Sequence, residues 1–105
     1  MTDVLEKGEE TSRAFTLFTN HSHVLLLIAQ RSDIRMRDIA AIAGITERAV
    51  QRIVDDLTST GYVRVTKDGR RNRYEIVPEK PLCHPLVRHR NVGDLIQFVF
   101  PEYAG

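Results

Sequence analysis

At 105 residues the chain has room for one domain with a modest core and little left for a separate ligand-binding domain. Hydrophobic residues make up 42% of it, which argues against wholesale disorder, and the longest unbroken apolar run, Val24 to Ala29, is far too short to span a bilayer. The formal net charge of +1 hides a segregation: residues 62–73 carry Arg64, Lys67, Arg70, Arg71 and Arg73 against Asp68 alone, while residues 1–10 carry Asp3, Glu6, Glu9 and Glu10 against Lys7. A polyanion responds to the local field rather than to the sum. The same basic residues also suit a solvated hairpin edge blunted by charge.

In chain order, residues 1–13 read as an acidic tail with no signal-peptide pattern. With a single cysteine, Cys83, which excludes an internal disulfide, this leads us to expect a cytoplasmic protein. Ala14 to Thr19 alternates apolar and polar residues like a short extended piece, and Asn20 can cap a helix from His21 to Arg31. Val24, Leu25, Leu27 and Ile28 spread over more than one face, so that helix is expected to be buried on most sides. Ile34 to Met36 reads as an extended link or a strand of a small sheet.

The spacing then predicts a short helix from Arg37 to Ala43, with Ile39, Ala40 and Ala43 turned inward. Gly44 suits a left-handed helix end, Ile45 plugs the corner, and Thr46 caps a longer helix reaching about Thr60. Val50, Ile53, Val54 and Leu57 form its inward stripe at i, i+3, i+4 and i+7. Two strands follow, Tyr62–Lys67 and Arg71–Val77, around a turn at Asp68-Gly69. Pro78, Pro81 and Pro85 predict an extended linker over residues 78–90, and Asn91 caps a last helix from Val92 to about Val99. The pattern is α+β and mainly helical: a winged helix-turn-helix with a small β-hairpin wing and an extra C-terminal helix. Its expected division is 1–13 tail, 14–78 DNA-binding domain, and 79–105 linker and C-terminal helix, the last a dimerisation segment.

The candidate site lies at the start of helix 46–60 and at the hairpin tip. Arg48 and Gln51 share one helix face, where arginine can bond bidentately to guanine and glutamine to adenine in the major groove. Arg52 and Arg37 are candidates for phosphates, Arg37 helped by free N–H groups at its helix start. Thr46 and Glu47 stand at the N-terminal end; Glu47 could read a cytosine amino group or simply favour the helix N-terminus. In the wing 62–77, Lys67, Arg70, Arg71, Asn72 and Arg73 crowd the tip, on the flanking backbone or minor groove. Asp55 and Asp56 would repel phosphate, so DNA contact should stop before them. The plainer reading of Arg48 and Arg52 is a solvated face paired with those aspartates.

The segments Arg37–Leu57, Gly61–Val63 and Gly69–Ile76 resemble those of the MarR- and ArsR-like winged helix-turn-helix transcriptional regulators, here as a small single-domain prokaryotic member. The resemblance covers residues 20–78. It implies a sequence-specific regulator that binds double-stranded operator DNA as a homodimer, with Thr46, Glu47, Arg48, Gln51 and Arg52 on the recognition helix and Lys67 to Arg73 in the wing. No catalytic signature is legible, so no enzyme, cofactor or resident metal is expected. Two alternatives stay open: a winged-helix adaptor without DNA binding, and a metal-responsive sensor drawing on Cys83 with His84 and His89 or on His21 and His23. Their spacing is no standard zinc framework.

Overall fold

The computed structural model of the protein describes residues 16–103; the acidic tail 1–13 and the first residues of the alternating stretch 14–19 lie outside the described residues. The helices are α1 (Asn20–Gln30), α2 (Met36–Ala43), α3 (Glu47–Ser59) and α4 (Val92–Val99). Between α3 and α4 lies an antiparallel hairpin of β1 (Val63–Asp68) and β2 (Arg71–Ile76). This is the expected mainly helical α+β winged helix with an added C-terminal helix.

Element ends move by a residue from their expected places. Thr19 rather than Asn20 caps α1, its hydroxyl accepting from the Ser22 N–H at 3.4 Å. Both side chains can cap; the chain uses the earlier one. Helix α2 takes in Met36, so 34–36 is not a strand. The loop instead touches the sheet through Ser32, whose carbonyl accepts from the Tyr74 N–H at 2.9 Å.

The corner between α2 and α3 forms as expected. Gly44 sits in the left-handed region (φ 76°, ψ 33°), and the N–H groups of Gly44 and Ile45 both donate to the Ala40 carbonyl, at 2.9 and 3.0 Å. These bonds satisfy a carbonyl that the helix end would leave open. Ile45 packs against the core beside the corner.

The core takes Val24, Leu25, Leu26 and Ile28 from α1, Ile39 and Ala40 from α2, and Val50, Ile53, Val54 and Leu57 from α3. Val63 and Tyr74 close it from the hairpin, Val92 and Ile96 from α4. Helix α1 is buried on several sides, with Leu26 taking a deeper place than Leu27.

Residues 78–90 are not an extended linker. Pro81 bridges Asn91 in antiparallel fashion, the Leu82 N–H donates to Arg90 O, and the Val92 N–H donates to Lys80 O, both at 2.9 Å. The prolines bend the chain, and the two ends of the bend then pair. The return delivers α4 to the hairpin base, where a capping box between Asn91 and Asp94 (2.8 and 3.0 Å) starts it.

Gly93 makes that docking possible. Its N–H donates to Pro78 O at 2.8 Å, and a Cβ there would stand 3.0 Å from the Pro78 Cβ and 3.2 Å from its carbonyl oxygen. Gly93→Ala should therefore destabilise the protein by about 1–3 kcal/mol, as overpacking does. A lowered Tm in thermal unfolding checks this; an unchanged Tm would show that α4 does not need the close approach.

Candidate nucleic-acid interface

Four apolar side chains, at most 6% exposed, fix which side of α3 faces inward, leaving Glu47, Arg48, Gln51, Arg52, Asp55 and Asp56 on the exposed side. Thr46 caps the helix, its Oγ1 accepting from the Ala49 N–H at 3.0 Å. The hydroxyl proton stays available to donate outward.

The aspartates do not take the arginines. Among the described residues, neither Arg48 nor Arg52 pairs with a carboxylate. Asp55 instead accepts from the Gln51 side-chain amide at 2.9 Å, and Asp56 stands 2.8 Å from His21 Nε2 at the start of α1. The Gln51 contact uses one amide N–H. The oxygen and the second N–H remain, the pair of groups an adenine edge requires. Asp55 thus orients the amide as well as placing negative charge at the third turn.

In the hairpin, register places Lys67 opposite Asn72, on the side that further down carries Val65–Tyr74 and Val63–Ile76. Arg71 and Arg73 fall on the other side. The turn residues are Gly69 and Arg70, one later than expected, because Asp68 still pairs with Arg71. A positive φ of 68° at Gly69 with none at Arg70 is the pattern of a type II′ hairpin turn. Part of the basic charge is compensated within the hairpin: Arg73 lies 3.5 Å from Asp68 and Arg64 3.4 Å from Glu75. Arg71 reaches across to donate to the Asp33 carbonyl at 3.0 Å, tying the wing to the loop before α2.

The structure brings Arg70, Arg71 and Asn72 together with Arg35 and Met36 around a cleft of about 240 Å³ between the wing and the start of α2. Arg37 is exposed on the first turn of α2 but does not line that cleft. Arg35 does not stand out in the sequence, because Ile34–Met36 reads as a link. The available signal was its place just before a helix, next to unpaired backbone donors.

The histidine and cysteine side chains are dispersed. His23 contacts Asn20 at 3.4 Å, and His84 Nδ1 accepts from the Leu86 N–H at 3.0 Å. Cys83 is an exposed free thiol beside the Tyr62 phenol. Burial, and then that thiol, push the Tyr62 pKa above its ordinary value, so the phenol stays neutral. Among the described residues no three His, Cys, Asp or Glu side chains converge as metal ligands, and no helix is long and apolar enough to cross a membrane.

The sequence model of the MarR family matches residues 17–73, more than half of the chain, from just before α1 through the basic part of the wing. No curated protein matches the chain.

Removing the cap tests how α3 is held. Thr46→Ala should lower stability by about 1 kcal/mol, seen as a lower denaturant midpoint at unchanged m value. An unchanged midpoint would mean that packing alone holds the first turn.

Proposed function

This chain belongs to the MarR family, whose members are DNA-binding transcription regulators, and from that we propose that it is a sequence-specific regulator binding double-stranded DNA as a homodimer. The observation that carries the reading is the exposed row Arg48, Gln51 and Arg52 on the first two turns of α3, presented beyond a helix-turn-helix corner and followed at once by a basic wing. The first turns of a recognition helix are the part that meets base edges in the major groove.

Arg48 and Gln51 are the base readers, and Thr46 and Glu47 flank them at the helix start. Arg37, Arg52 and the wing residues Lys67, Arg70, Arg71, Asn72 and Arg73 supply contacts to phosphates or the minor groove. Arg71 and Arg73 contribute with only part of their donor capacity, since each already has a partner inside the protein. Two copies related by a two-fold axis would set their recognition helices about 34–36 Å apart, one turn of DNA. Apolar side chains outside the motif, among them Phe98 (80% exposed) and Leu86 (76% exposed), offer surface for that pairing. A cytoplasmic location fits such a regulator.

Arg48→Ala and Lys67→Ala separate the two kinds of contact. Arg48→Ala should remove about 1–3 kcal/mol of discrimination between preferred and scrambled duplexes. Lys67→Ala, a cation with no carboxylate partner among the described residues, should weaken both equally and flatten the salt dependence by about one unit of slope. Fluorescence anisotropy over a salt series measures both. Equal loss on the two duplexes for Arg48→Ala would remove it from the base-reading set.

A further inference from the structure

The cleft between the wing and the start of α2 gathers more positive charge than its own side chains compensate. Among the described residues, Arg35, Arg70 and Arg71 line it, and the one acidic lining residue, Asp33, is engaged by Arg31 at 3.5 Å. We propose that this cleft holds a single phosphate group, and that in the working regulator the group is a phosphate of the DNA backbone, gripped by Arg35 from α2 and by Arg70 and Arg71 from the wing. The choice of DNA as its source rests on the reading of the chain as a DNA-binding regulator.

Three arginines lining one small space bring together positive charge that an anion would offset, and the planar fork of N–H donors on a guanidinium matches phosphate oxygens two at a time. Arg71 is already fixed in place by donating to the Asp33 carbonyl at 3.0 Å and keeps its other donors. Asn72 adds an amide. Arg35, the residue before the first helical position, makes no side-chain bond to its own helix end, so its guanidinium is not committed to capping. Asp38, on the same first turn, opposes an anion but lies outside the lining.

Size limits the ligand class. At about 240 Å³ the space falls below the roughly 300–1,000 Å³ of pockets that enclose organic molecules of drug size, while a phosphate group is small. Position favours DNA as the source. In helix-turn-helix docking the helix before the recognition helix crosses the sugar–phosphate backbone. Here that helix is α2, and Arg35 stands at its start. One phosphate would then bridge α2 and the wing and hold the wing at a set distance from α3.

The test compares wild type with Arg35→Ala, using Arg35→Gln as a second variant, on a retained genomic duplex and a scrambled one. Arg35 is exposed and makes no capping bond, so melting temperatures should match. Affinity should fall about tenfold on both duplexes, with the salt slope lower by about one unit. Replacing single phosphates with neutral methylphosphonates should identify one position whose effect in wild type disappears in Arg35→Ala. A second arm titrates inorganic phosphate and follows the amide resonances of Met36 and Asn72. Shifts in wild type that are lost in Arg35→Ala support the cleft. Tight duplex binding with affinity and salt slope unchanged in Arg35→Ala overturns the cleft while leaving DNA binding intact. If wild type ignores duplex DNA yet phosphate shifts those amides, the DNA reading fails and the source is free phosphate. Silence in both arms overturns both.

Discussion

The burial of one face of α3 is the constraint on which the rest depends. Val50, Ile53, Val54 and Leu57 enter the core against residues of α1 and α2, and each such side chain contributes roughly 1.5–3 kcal/mol. Turning the helix about its axis would expose that stripe and press Arg48 or Arg52 into the core, where an unpaired charge is prohibitively costly. The polar row therefore has one place to go. The left-handed corner at Gly44 sets where the helix starts, and the Thr46 cap sets which turn is first. Orientation, start and phase of α3 follow from these few residues.

Electrostatics is then layered on a fixed frame. Asp55 and Asp56 take Gln51 and His21 and leave the arginines uncompensated among the described residues. That division matters for recognition. An arginine held by a neighbouring carboxylate must break that pair before it meets a base, whereas a glutamine steadied through one N–H loses less freedom on binding. The wing shows the opposite economy. Arg73 and Arg64 are cross-linked to carboxylates within the hairpin, which lowers self-repulsion in a strand pair that is otherwise strongly basic.

Most of the fold was legible because it rests on periodicity and end signals. The α3 stripe, the Gly44 corner, the Thr46 cap, the two strands and the Asn91 cap can each be read locally. Features that depend on pairing between distant residues could not. The bend over residues 78–90 closes through the Pro81–Asn91 bridge and Leu82 to Arg90, partners that proline content alone does not reveal. The tie from Arg71 to the Asp33 carbonyl joins residues far apart in the chain, and so does that from His21 to Asp56. For the candidate site, the residue types and the exposed face came from the sequence. The gathering of Arg35 with Arg70 and Arg71 did not, because it depends on how the hairpin leans toward α2.

On the proposed function, the exposed face of the first two turns of α3 reads bases in the major groove. Methylation interference on genomic fragments retained by the protein tests it most directly, because methylation at guanine N7 blocks the groove edge that an arginine would contact. Guanines whose methylation removes fragments from the bound pool should fall in two clusters about 10 base pairs apart, the spacing the proposed two-fold dimer would give. Retention of fragments regardless of guanine methylation would contradict it.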